Sequence, residues 1–97
     1  SLDRLGAELV TLDSKKAKEY GIDGGVEIRS LTDGLIADQT TIKKGFIIIR
    51  AGGKSIKSTD DLTKAIESAG NSIIIEGIYP GYEGVYQYAI NELRNEP

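Results

Sequence analysis

The sequence predicts a small α+β domain that is mostly β: a partly open antiparallel barrel or sandwich of five to six strands, capped by two helices. Three observations carry this reading. Apolar runs of strand length recur at Phe46-Ile47-Ile48-Ile49 and Ile73-Ile74-Ile75, and an alternating run lies at Val26-Glu27-Ile28-Arg29. Glycine-bearing turns separate them, at Gly24-Gly25, Ala51-Gly52-Gly53-Lys54 and Pro80-Gly81-Tyr82-Glu83-Gly84. One segment alone, between Ser58 and Gly70, keeps an apolar helical period over several turns. With 97 residues the chain is one domain, large enough for one core and too small for two.

The first strand enters from a tight turn at Gly6, with Ala7, Leu9 and Thr11 alternating against Glu8, Val10 and Leu12. A glycine before a strand lets successive backbone N–H groups converge on an anion, while the strand offers an edge for an extended peptide. Asp13 and Ser14 cap a short peripheral helix over Lys15 to Tyr20, which Gly21 ends. Val26 and Ile28 of the next strand face the core. A linker from Ser30 to Lys44 holds a turn or two of helix at Leu35-Ile36-Ala37-Asp38 and a lone apolar anchor, Ile42. The Phe46 run is apolar on both faces, hence central, and returns through the glycine pair to a very short partner at Ser55-Ile56. The main helix has Ser58 at the N-cap, Asp60 and Asp61 in its first turn, Leu62, Ala65, Ile66 and Ala69 on one face, and Gly70 closing it. Strands over Ser72 to Tyr79 and Val85 to Ile90 follow, and the polar tail, residues 91–97, is expected to fray.

Composition excludes several functions. Without cysteine or histidine the usual zinc sites, thiol nucleophiles, disulfides and a Ser-His-Asp arrangement are absent, and no cofactor is implied. The carboxylates fall on a helix cap (Asp60, Asp61), in turns (Asp23, Asp33) or singly on strands (Glu8, Glu27, Glu76), so no acid/base pair forms and the domain is not itself an enzyme. A net charge of −3, with Lys15-Lys16-Lys18 and Lys43-Lys44 as the basic clusters, argues against nucleic acid. No apolar run reaches membrane-span length. The chain lacks methionine, so it is expected to be a domain excised from a longer protein.

Three features then coincide in order: the Leu5-Gly6-Ala7 turn opening a strand, the hairpin from Gly45-Phe46 to Gly53-Lys54, and the Ser58-Thr59-Asp60-Asp61-Leu62 helix ending in glycine. Together they resemble a PDZ domain, of the circularly permuted type carried by bacterial HtrA (Deg) serine proteases, over about residues 4 to 90. It looks like the C-terminal PDZ domain of such an envelope protease. Gly45-Phe46 and Gly52-Gly53 stand where that family usually has Gly-Asp and Asn-Gly or Asp-Gly. Asp33-Gly34-Leu35-Ile36-Ala37 replaces its Ser-Pro-Ala, and the Tyr79 to Gly84 turn replaces a short Arg-rich hairpin.

The resemblance implies a PDZ-like fold and a peptide-binding role by strand addition. Leu5, Gly6 and Ala7 match the loop that holds a terminal carboxylate. Glu8, Leu9 and Val10, on to Leu12, match the edge strand. Thr59, Leu62, Thr63 and Ile66 lie on the helix that walls the groove, with Ile66 at the pocket for the last side chain. Leu5, Ala7, Leu9 and Ile66 would line that pocket, deep because Ala7 is small, and Arg4 would steer the carboxylate. The implied partners are peptides or unfolded segments with apolar C-termini, together with the protease domain and other PDZ domain of the parent chain. The implied role is substrate recognition or regulation in protein quality control, in the periplasm or cell envelope. The competing expectation is a structural contact domain whose groove is blocked or unused, with Tyr79, Tyr82, Tyr86 and Tyr88 as a contact patch. Against that patch, Tyr86 and Tyr88 read as half-buried sheet residues with wet hydroxyls.

Overall fold

A computed structural model of the chain describes residues 2–94. A 3-10 turn, Leu2–Leu5, leads into β1 (Ala7–Thr11), α1 (Ser14–Glu19), β2 (Val26–Leu31), α2 (Leu35–Gln39), β3 (Ile47–Ala51), β4 (Lys54–Ser55), α3 (Thr59–Ser68), β5 (Ile73–Ile78) and β6 (Tyr86–Ile90). All pairings are antiparallel, in the order β1-β2-β3-β5-β6, with β4 hairpinned onto β3. β1 and β6 are therefore the two outer strands.

The sheet is covered on both faces at the start of β3, which explains its apolar Ile47-Ile48-Ile49 run; Arg50, further along, is exposed. Ile48 joins the larger core with Val26, Ile28, Phe46, Leu62 and Ile66, while Ile47 joins a smaller one with Leu12 and Ala17 of α1. The helical period of α3 buries Leu62, Ala65 and Ile66 as expected. Its N-terminus is closed reciprocally: Asp61 N–H donates to Ser58 Oγ at 3.2 Å and Lys57 N–H donates to Asp61 Oδ2 at 2.9 Å.

The other end of α3 departs from expectation. Gly70 is not in the left-handed region, and the C-cap is Ala69 in extended conformation. Arg94 finishes the helix instead, its Nη2 lying 2.6, 2.9 and 3.0 Å from the carbonyls of Ile66, Glu67 and Ala69. A guanidinium there satisfies orphan acceptors and opposes the negative end of the helix dipole. The tail over 91–94 is thus docked where fraying was expected. Leu93 is 8% exposed, with its N–H on the Asn71 carbonyl at 2.9 Å, and Arg94 N–H reaches Asn71 Oδ1 at 3.0 Å. The remainder of that expectation, 95–97, lies outside the described residues.

Two glycines cross at the start of β1. Gly6 has φ +74, and a Cβ on it would stand 2.5 Å from the Asp33 carbonyl oxygen; a Cβ on Gly34 would stand 2.6 Å from Gly6 Cα. The crossing is held by Thr32 N–H on the Gly6 carbonyl at 2.8 Å. It fixes the turn before β1 against the start of α2.

At the far edge Phe46, fully buried, packs against Tyr79 at 4.9 Å and edge-on against Tyr88 at 5.3 Å. The Tyr79 hydroxyl accepts from Lys43 N–H at 3.1 Å and shares a hydrogen bond with the Tyr88 hydroxyl at 3.3 Å. Tyr88 is half-buried as expected, with its hydroxyl tied to that of Tyr79, whereas Tyr86, expected half-buried too, is exposed. Burial, and next the bond to Tyr88, push the Tyr79 phenol up from 10.0 to about 12.

Three outcomes follow from these contacts. Replacing Gly34 by Ala should lower stability by about 2 kcal/mol in urea unfolding through overlap with the Gly6 backbone. Gly70→Ala, where a Cβ meets nothing within 4 Å, should stay within about 0.5 kcal/mol of the parent. The raised Tyr79 pKa means that the fold prefers the neutral phenol. That contribution is complete below pH 10.0 and is lost as pH rises towards about 12. Absorbance titration of tyrosinate should show a late equivalent that Tyr79→Phe removes.

Candidate functional site

β1 bonds on one side only, to β2, and the bonds at its two ends tell which of its groups face outwards. Thr32 N–H donates to the Gly6 carbonyl and Leu12 N–H donates to the Gly25 carbonyl at 2.9 Å. Backbone groups alternate in direction along a strand, so Gly6, Glu8, Val10 and Leu12 direct theirs to β2. Ala7, Leu9 and Thr11 direct theirs to the open edge. The pairing steps from Glu8↔Ser30 to Leu9↔Ile28, which puts the extra residue, Arg29, on β2 and leaves the alternation of β1 intact.

α3 runs beside that edge. At one end Thr59 N–H donates to Thr11 Oγ1 at 3.1 Å, which pins the start of the helix to the end of the strand. Ala7 and Leu9 pack against the main core on the α3 side, so Glu8 and Val10 project from the opposite face of β1. Glu8 is exposed there, its Oε1 accepting from Ser30 Oγ at 3.4 Å.

At the other end of the edge, beyond Gly6, a cavity of about 350 Å³ is lined by Asp3, Arg4, Leu5, Leu35, Ile66, Leu93 and Arg94. Its walls are apolar side chains from four different elements, and its charges are two guanidiniums and one carboxylate. Arg4 Nη1 donates to the Leu93 carbonyl at 2.7 Å, and Arg94 sits on the carbonyl end of α3, so both cations are held by backbone rather than swinging in solvent. The Gly6 N–H donates to the Asp3 carbonyl at 3.3 Å, a long bond that an incoming anion could displace.

The structure thus places Arg4, Leu5 and Ile66 in one cavity beyond Gly6, sets Ala7 and Leu9 on the α3 side of β1, and pins Thr59 to Thr11. Thr63, on α3, donates its hydroxyl to the Thr59 carbonyl at 3.0 Å. The structure does not bring Glu8 or Val10 to the groove by side chain or by backbone. Leu62, 1% exposed, belongs to the core beneath the groove rather than to its surface. Ile66 and Leu5 line the cavity as expected, whereas Ala7 and Leu9 do not line it and pack against the core instead. Leu35, Leu93 and Arg94 were missed. They come from a linker helix and a tail that carry no periodic pattern, so only their packing reveals them.

Among the described residues no group of three carboxylates is placed to hold a metal ion, and no helix is long and apolar enough to cross a membrane. No protein-family model and no curated protein matches the chain. Among solved structures it is similar to the crystal structure of the HtrA3 PDZ domain bound to a phage-derived ligand (FGRWV). The TM-score is 0.72 over 90% of this chain and 81% of that one, at 15% sequence identity. An outer strand opened by a glycine turn, a helix laid along it and one antiparallel sheet behind them make the fold of this chain that of a PDZ domain.

Proposed function

We propose that this domain is a non-catalytic peptide-binding module that takes the C-terminal end of an extended segment as an added strand on β1. One observation carries the reading: Ala7, Leu9 and Thr11 turn their backbone groups to an open edge that faces α3 and ends at the Gly6 turn. Main-chain bonds to these residues supply affinity independent of sequence. The terminal carboxylate meets the Leu5-Gly6-Ala7 turn, near the Arg4 and Arg94 guanidiniums. The last side chain enters the cavity walled by Leu5, Leu35, Ile66 and Leu93, where burying a large apolar group contributes about 2 kcal/mol.

The finer placement rests on the sequence resemblance. It makes the domain the circularly permuted, C-terminal PDZ domain of a bacterial HtrA (Deg) serine protease in the periplasm or envelope, serving substrate recognition or regulation beside the protease domain. The HtrA3 PDZ neighbour, solved with a peptide-like ligand, supports the peptide-binding part.

A second reading has its own observation. The free groove is narrowed at both ends, by Thr59 on Thr11 and by the Gly6 N–H on Asp3, as in a contact domain whose groove is unused. Amide-resolved NMR titration separates the two, using a short peptide ending in phenylalanine and the same peptide amidated. Shifts over Leu5–Leu12 and Thr59–Ile66 for the acid alone are the expected result; silence for both peptides overturns the groove.

Two variants probe the geometry. Ala7→Phe should weaken peptides with large terminal side chains more than those with small ones, and an equal loss would show that Ala7 does not set the width. Because Thr59 is bonded across the groove at Thr11, calorimetric affinity should stop rising beyond about four peptide residues, the reach of Ala7 to Thr11. Thr11→Val, which keeps the shape without the acceptor, should let affinity continue to grow with length.

A further inference from the structure

At the edge of the sheet opposite β1, a cleft of about 510 Å³ opens between Thr41, Lys43 and Lys44 on one side and Tyr79, Tyr82, Tyr86 and Tyr88 on the other. Its floor is preorganised. Gly77 leaves the room that the Phe46 ring fills, Phe46 supports Tyr79 and Tyr88, and the Tyr79 hydroxyl joins Lys43 N–H to the Tyr88 hydroxyl. On this fixed floor two rings are presented to solvent: Tyr82, 70% exposed, and Tyr86, 37% exposed, standing edge-on to Tyr79 at 6.4 and 5.2 Å.

The charge of the cleft is the reverse of the chain's. The protein carries 15 acidic against 12 basic residues, yet the two charged residues lining the cleft are both lysines. Among the described residues neither ammonium is paired with a carboxylate. Four aromatic rings offer apolar area that a small anion could not use, and tyrosine presents such area at low entropy cost. A polyanion such as nucleic acid is disfavoured by two lysines on a chain of net charge −3.

We propose that this cleft binds an extended acidic peptide segment of a partner protein, its carboxylates on Lys43 and Lys44 and its apolar side chains against Tyr82 and Tyr86. The site is separate from the β1 groove: it lies at the other edge of the sheet and needs no peptide terminus.

The test is an NMR titration with a peptide of alternating glutamate and phenylalanine, acetylated and amidated so that it offers the turn at Gly6 no terminal carboxylate. Amides of Thr41–Lys44 and Tyr82–Tyr88 should shift, and affinity should fall with ionic strength. Lys43→Gln with Lys44→Gln should weaken binding about tenfold, and Tyr86→Ser should weaken it by a similar factor. Unchanged spectra elsewhere would show that both variants keep the fold. The proposal is overturned if a glutamine-for-glutamate peptide binds equally well, if the shifts fall on Leu5–Leu12 instead, or if no amide moves.

Discussion

The close crossing of Gly6 and Gly34 is the constraint on which the groove depends. Neither position has room for a Cβ, and the crossing is sealed by a single backbone bond from Thr32. It sets where β1 begins, and so which residues of β1 show their backbone to the edge. It also presses the start of α2 against the turn, which brings Leu35 into the cavity beside Leu5. A side chain at either glycine would move the turn and the wall together.

The two outer strands of the sheet are treated differently, and the difference separates two surfaces. β1 keeps its edge unpaired towards α3, bridged to the helix at Thr11, so the ladder can accept another strand. β6 is closed at its end by Gln39, whose side-chain amide exchanges two bonds with the backbone of Asn91, at 2.7 and 2.9 Å, as a neighbouring strand would. Along the rest of β6 and the turn before it, Tyr82, Tyr86 and Tyr88 line the neighbouring cleft. The first edge thus presents backbone groups beside α3, and the cleft beside the second presents tyrosine rings and two lysines.

Much of this was legible in the chain because local rules were strong there. Ser58, Asp61 and the Leu62-Ala65-Ile66 period specify α3 without reference to anything distant, and the all-apolar Ile47-Ile48-Ile49 run can only be a strand covered on both sides. The Leu5-Gly6-Ala7 turn was visible because φ +74 calls for glycine. The ending of α3 was misread for a physical reason. Gly70 is a common stop, but the terminus could equally be satisfied by a distant cation, and Arg94 lies in a stretch with no pattern to announce it.

By itself, then, the sequence determined the order of the strands and helices from β1 to β6, the core faces of β2 and α3 and the turn that opens β1, all of which follow from spacing within a dozen residues. The 3-10 turn at Leu2–Leu5 carried no such signal. The tertiary structure decided what depends on residues far apart meeting. Glu8 and Val10 face away from the groove because pairing with β2 fixes the direction of every backbone group on β1. The pocket is completed by Leu35, Leu93 and Arg94 because the tail docks beneath α3. Lys43 and the tyrosines share a cleft because Phe46 holds both sides of it. Each of these is set by long-range packing, on which periodicity is silent.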